Sequence, residues 1–132
     1  MKVTHTSGKR KRAIARATIT EGKGIIRVNS RHLDTIEPKL AKMKITEPLV
    51  LAEEVAKKIN ADIVVKGGGA MAQADAVRLA LARGLVAFTG SKTLKKEFLN
   101  YDRHLLVADV RRNEPHKPND SKPRAKRQKS YR

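Results

Sequence analysis

Three consecutive glycines, Gly67-Gly68-Gly69, lie where an apolar run gives way to a helical pattern, and they are the first residues in this chain suited to chemistry. Without Cβ atoms they permit positive φ and close backbone approach, and the free N–H groups of a helix start favour a phosphate. A tight structural turn accounts for the same residues equally well. No Lys-Ser/Thr pair follows, as a P-loop requires, and the spacing is not Gly-x-Gly-x-x-Gly. The second candidate is the cationic run Lys9-Arg10-Lys11-Arg12, with Arg16 just beyond it. Guanidinium groups fork onto phosphate oxygens, and each phosphate neutralised releases counterions. Basic runs are often only solvated surface, but this one leads directly into a predicted strand, which would hold its cations at the edge of folded structure. Catalysis finds no comparable set. His5, His32, His104 and His116 share no metal-ligand spacing, and Asp102 with His104 makes no acid/base pair beside a nucleophile. Asp102-Arg103 reads more simply as an ion pair or a turn, and neither a cofactor nor a metal is expected.

The positions of the charges narrow the partner. In 132 residues, enough for one domain with a modest core, 30 Lys+Arg stand against 13 Asp+Glu for a net charge of +17. Residues 1–16 carry +6 with no acidic side chain, and residues 111–132 carry +7. The stretch between them carries only +4. A chain loaded in this way at its two ends repels itself there until a polyanion screens it. Nucleic acid is the expected polyanion. With no Trp, two Tyr and two Phe, recognition by rows of stacked bases is not expected. No run approaches the ~20 apolar residues of a membrane span, and the start Met1-Lys2-Val3-Thr4-His5 carries no apolar signal region. A soluble, non-secreted protein with no membrane partner is expected. The absence of Cys excludes disulfides and thiolate metal sites.

These residues need elements to position them. After a short polar arm over residues 1–8, Ala13–Thr20 and Ile25–Asn29 are β-compatible and flank Glu21-Gly22-Lys23-Gly24, which predicts a hairpin. Residues 31–45, with Pro38, leave room for one short helix. Thr46 is placed as the cap of the next helix, with Pro48 in its first turn. That helix carries Leu51, Ala52, Val55, Ala56 and Ile59 on one face and the pairs Glu53–Lys57 and Glu54–Lys58 on the other, ending near Asn60. Asp62–Lys66 reads as a buried strand. Ala70–Phe88 is helical, with Ala74, Val77, Leu81, Leu85 and Phe88 on one arc and enough further Ala for neighbouring backbone to approach closely. Ser91 caps a short helix through Leu94, Phe98 and Leu99, and Leu105-Leu106-Val107 reads as a last strand. The order of elements predicts a mixed α/β (α+β) two-layer sandwich over residues 9–110. From residue 111 to 132 three prolines and almost no apolar side chains leave nothing to bury, so this segment reads as an extended basic tail.

The segment from Gly67 to Leu85, with its triple glycine, Gln73 and small-residue helix running through Ala82-Arg83-Gly84-Leu85, resembles the signature of the small-subunit ribosomal protein nine family. Gly8-Lys9-Arg10-Lys11-Arg12-Ala13, Asn29, Tyr101-Asp102-Arg103 with Leu105–Asp109, and the ending Gln128-Lys129-Ser130-Tyr131-Arg132 extend the resemblance over the whole chain, the last two in an archaeal form. The resemblance implies a noncatalytic constituent of the small ribosomal subunit head, cytoplasmic on the ribosome, with neighbouring head proteins as partners. It also implies a fold like the second domain of small-subunit protein five, with a left-handed βαβ crossover that the usual handedness rule would not predict. Carried over by position, Lys9, Arg10, Lys11, Arg12, Arg16, Arg111, Arg112, Arg124, Lys126 and Arg127 are expected on ribosomal RNA. Lys129 and Arg132 are expected on the P-site tRNA, and Gly67, Gly68 and Gly69 form a structural or phosphate-facing turn. His116–Pro123 departs from the family pattern by lacking glycine, which implies a stiffer tail, and Val110 stands where a Pro is expected. Two other classes compete: a small nucleotide-binding phosphotransferase and a basic DNA-compacting protein.

Overall fold

The computed structural model describes residues 1–119 and 122–125. A five-stranded sheet in the order β1-β2-β5-β3-β4 forms its centre, from β1 (Val3–Arg10), β2 (Ala13–Glu21), β3 (Ile26–Val28), β4 (Arg31–His32) and β5 (Ile59–Lys66). Alternation decides which face is covered. Ala13, Ala15, Ala17 and Ile19 on β2 and Ile59, Ala61, Ile63 and Val65 on β5 are all buried, whereas Ile14, Arg16, Asp62, Val64 and Lys66 between them are exposed. The helices lie on the buried side: α1 (Lys39–Leu51), the single turn α2 (Glu53–Ala56), α3 (Ala70–Thr89) and α4 (Lys92–Tyr101). A mixed α/β architecture is what the order of elements predicted.

Several elements differ from the sequence reading. The polar start is not a free arm, because Val3–Arg10 is an edge strand antiparallel to β2. The expected β2–β3 hairpin does not form. Strand β5 lies between them, antiparallel to β2 and parallel to β3. The glycine linker steps over the start of β5, with Gly22 N donating to Lys58 O, Gly24 N to Ile59 O, and the Asn60 side-chain oxygen accepting from Lys23 N and Ile25 N. A strand buried on one face and central in the sheet needs partners along both edges, and two separate strands supply them. Beyond β3, Asn29 acts as a strand end: its side chain accepts from Val65 N at 3.0 Å and donates to Val65 O at 3.3 Å, before positive φ at Asn29 and Ser30 turns the chain into β4.

The helix expected to start at Thr46 starts instead at Lys39, after Pro38. Thr46 is internal, its hydroxyl donating to Lys42 O at 2.7 Å rather than capping. Pro48 is buried within α1, and the helix breaks at Ala52. Ile59 therefore belongs to β5 and not to a helical stripe. The Glu53–Lys57 pair forms at 2.7 Å. Helix α3 is buried more widely than one arc. Ala76, Leu79, Ala80, Ala82 and Gly84 join Ala74, Val77, Leu81 and Leu85 inside, because the sheet packs on one side of the helix and α1 on another. The close approach promised by its alanines is made by β1: a Cβ on Gly8 would meet the Ala76 carbonyl oxygen and, at 2.7 Å, Ala80 N. Ser91 caps α4, accepting from Leu94 N at 3.2 Å, over buried Leu94 and Phe98, while Leu99 turns outward. The expected last strand is a 3₁₀ turn (Arg103–Leu105) that buries Leu105. Asp102 accepts from His104 N at 2.9 Å and Arg83 Nε donates to Leu106 O at 2.9 Å, so local side chains satisfy this backbone without a sheet neighbour.

Candidate nucleic-acid interface

The N-terminal cations sit on the β1–β2 hairpin, and the alternation of β1 sends them in different directions. Lys9 faces the open side of the sheet beside Ile14, and Arg16 lies on the same side opposite Val64. Lys11, at φ 52°, and Arg12 form the exposed tip. Arg10 points the other way. Its NH1 lies 2.7 Å from Asp109 Oδ2 and its Nε 3.8 Å from Asp75 Oδ2, with the Arg10 and Asp109 side chains each only 16% exposed. Lys44 from α1 reaches Asp75 at 3.0 Å.

Asp109 also organises the root of the tail. It accepts from Arg111 N at 3.0 Å and from the Arg111 guanidinium at 2.6 and 3.0 Å. The Arg111 side chain, then the Arg111 backbone N–H and, more weakly, Arg10 hold its carboxyl well below the usual aspartate range. Arg112 donates to Asp109 O at 2.9 Å. Among the described residues after Leu105 there is no helix or strand. Arg112, Asn113, Pro115 and His116 run beside Lys11 and Arg12, enclosing a groove with the hairpin tip. Arg124 Nε donates to Glu114 at 2.9 Å. Lys126, Arg127, Lys129 and Arg132 lie outside the described residues.

The glycine turn meets the same corner. Gly67 and Gly68 have φ of 82° and 68°, and a Cβ on Gly67 would lie 2.5 Å from Arg12 O, so the turn packs directly under the hairpin tip. Gln73 donates to Gly67 O at 3.2 Å and closes the loop. Those two glycines thus have a structural explanation. Gly69 does not: its φ is −90°, nothing lies within 4 Å of an added Cβ, and it opens α3 without a side-chain cap. The first N–H groups of a 20-residue helix are left there for water or an anion.

The fold therefore gathers Lys11, Arg12, the start of α3 and the tail root with Arg112 at one end of the molecule, with Lys9 and Lys66 on the adjoining end of the open sheet face. This arrangement suits phosphates. Of the two sequence readings of Asp102-Arg103, the turn forms, with Asp102 capping the 3₁₀ turn Arg103–Leu105, while the ion pair of Asp102 is made with Arg78 at 3.1 Å. Burial raises the Asp102 carboxyl, but the His104 N–H and the Arg78 guanidinium outweigh that and hold it below its ordinary value. Sequence reasoning also missed Asp75, Asp109 and Lys66. The alternation of β1 and β5 carried the signal for Lys66, but only a known sheet face says which alternate row is outside. Asp75 and Asp109 pair across more than 60 positions with Arg10, which no local pattern reports.

No helix among the described residues is long and apolar enough to cross a membrane. Residues 8–132 match the family described as Ribosomal protein S9/S16. The chain is 58% identical over 134 aligned positions, covering all of both chains, to "Small ribosomal subunit protein uS9" of Methanococcus vannielii. It is 59% identical, again over the full length of each, to the protein of that name from Methanococcus maripaludis. Family membership replaces the phosphotransferase alternative with a non-enzymatic protein. A match through the cationic hairpin, the glycine turn and the tail alike leaves one assignment: this chain belongs to the ribosomal protein S9/S16 family.

Proposed function

We propose that the chain is a structural constituent of the head of an archaeal small ribosomal subunit, its body held on ribosomal RNA and its tail reaching the P-site tRNA. Family membership makes it a noncatalytic ribosomal protein of the cytoplasmic translation machinery, associated with small-subunit RNA and proteins. The observation that carries the finer reading is the convergence of the basic hairpin tip, the uncapped α3 start and the tail root at one corner. Lys9, Lys11, Arg12, Arg16 and Arg112 supply phosphate contacts from the body. Arg10 serves as the internal anchor of the tail root, and Arg111 exchanges its exposed pairing with Asp109 for phosphate as RNA closes in. Gly69 leaves room for a phosphate at the start of α3. Beyond the root, Arg124, Lys126 and Arg127 lie along ribosomal RNA while Lys129 and Arg132 reach the tRNA backbone. An extended, proline-stiffened tail follows a channel that a folded surface cannot enter. In this reading the β3–α1–β5 unit, whose strands are parallel neighbours, makes the left-handed crossover of the second domain of small-subunit protein five, and other head proteins complete the surroundings.

Removing Lys129–Arg132 tests this. Reconstituted subunits carrying the truncated chain should assemble normally yet bind P-site tRNA several-fold more weakly in filter binding. Truncated subunits that hold tRNA like full-length ones would show the tail assignment to be wrong.

A further inference from the structure

The uncovered face of the sheet was not singled out by the sequence, and the strand register shows what it carries. Three cross-strand rows run over it: Lys9–Ile14–Lys66, Ser7–Arg16–Val64, and His5–Thr18–Asp62–Arg27–His32. Adjacent strands lie roughly 4.8 Å apart and alternate residues about 6.8 Å apart along a strand, so Lys9, Arg16 and Lys66 are set within about 10 Å of one another at the backbone. Four Lys or Arg and two His share the three rows with one carboxylate, Asp62. No helix covers them, and the side chains of Lys9, Arg16, Arg27, Lys66 and Asp62 are exposed. Two aliphatic residues, Ile14 at 42% and Val64 at 52% exposure, sit singly among the cations and not as a continuous apolar patch. The rows contain no Phe, Tyr or Trp.

We infer that this open sheet face is a second docking surface for ribosomal RNA, one that grips the sugar-phosphate backbone through Arg16, Arg27 and Lys66 and reads no bases. The inference rests on the ribosomal reading above, which already sets Arg16 on phosphate, and extends its contacts from the hairpin corner across the sheet through Arg27 and Lys66. The charge excess selects a polyanion over a protein partner, whose interface would call for an apolar centre depleted of charge. Without Phe, Tyr or Trp, and with the His5 and His32 rings at opposite edges of the sheet engaged by Thr18 and by Asp34 N, the face has no row of platforms for splayed bases. Cations fixed on paired strands hold their spacing without the ordering cost that a mobile tail incurs, so they suit a rigid RNA helix whose phosphates are already in place.

The test uses the full chain and a transcript of the head domain of archaeal small-subunit ribosomal RNA. Arg16→Gln/Arg27→Gln/Lys66→Gln removes three open-face cations. Lys92→Gln/Lys95→Gln/Lys96→Gln removes the same charge from α4. Each lost phosphate contact lowers the slope of log affinity against log salt by about 0.7–0.9. The open-face variant should therefore lose roughly 2–3 in slope and, near physiological salt, on the order of 10–100-fold in affinity. The α4 variant should stay within about threefold of wild type. Circular dichroism melts that match wild type keep folding out of the comparison. Equal losses in both variants would overturn the inference in favour of undirected electrostatics, and an open-face variant that binds like wild type would overturn it in favour of a protein neighbour. A wild-type chain that fails to bind the transcript refutes the ribosomal RNA reading itself, a result distinct from either.

Discussion

Arg78 ties three helical elements, and removing its charge should cost stability with a defined pH dependence. From the middle of α3 its NH2 lies 2.6 Å from Glu47 on α1 and 3.1 Å from Asp102 at the end of α4, and its side chain is 12% exposed. Arg78→Met keeps most of the stem and removes the guanidinium. Breaking a fully buried pair costs about 3–5 kcal/mol, and an exposed one about 0–1. Here the carboxylates are 35% and 37% exposed, so water resolvates much of what is released. The Arg78 Nε is also buried without a hydrogen-bond partner, a desolvation cost that Met removes. Together these place the loss near ~2 kcal/mol. For a domain of this size the unfolding entropy is on the order of 0.2–0.25 kcal/mol/K, so Tm should fall by about 8–10 °C. Because the Asp102 carboxyl is held below its ordinary 3.8, its stabilising contribution is complete above that pH and is lost as pH falls through the lower folded value. The deficit of the variant is thus full at neutral pH and shrinks once pH drops below 3.8. Asp102→Asn, which retains an acceptor for His104 N, completes a double-mutant cycle with an expected coupling of about 1 kcal/mol. Melts followed by circular dichroism across this range provide the assay. A change in Tm below about 2 °C at neutral pH, or a deficit that persists undiminished in acid, would refute the reasoning.

The glycines separate packing from binding. Gly8→Ala should lose roughly 2–3 kcal/mol in urea melts, since the added methyl meets the Ala76 and Ala80 backbone and neither can yield as a side chain would; an unchanged midpoint would contradict the close β1–α3 contact. Gly67→Ala, at φ 82° and 2.5 Å from Arg12 O, should lose about 2 kcal/mol. Gly69→Ala should change stability by less than ~0.5 kcal/mol while weakening binding to the ribosomal RNA transcript, and unaltered binding would make the turn purely structural.

Local patterns in the chain determined a good deal. The helical period from Ala70 onward, the apolar run through Ile63-Val64-Val65 and the Ser91 cap each depend on residues within a turn or a pleat of one another, so they could be read in place. The glycine turn and the charge loaded at both ends were equally plain, and with them the expectation of a phosphate-bearing partner. Where local rules compete, sequence alone does not choose: Thr46 has both the chemistry of a cap and that of a residue bonding back to Lys42, and only the start of α1 at Lys39 decides between them. Tertiary structure alone decided that β5 enters between β2 and β3, because a central strand must pair along both edges and distant segments compete to supply them. That choice fixed which alternate row of each strand meets the helices. It turned Arg10 inward to Asp109 and left Lys9, Arg16 and Lys66 outside, a sorting of like charges in which local alternation separates the two rows and only contacts across the whole chain decide which row faces out.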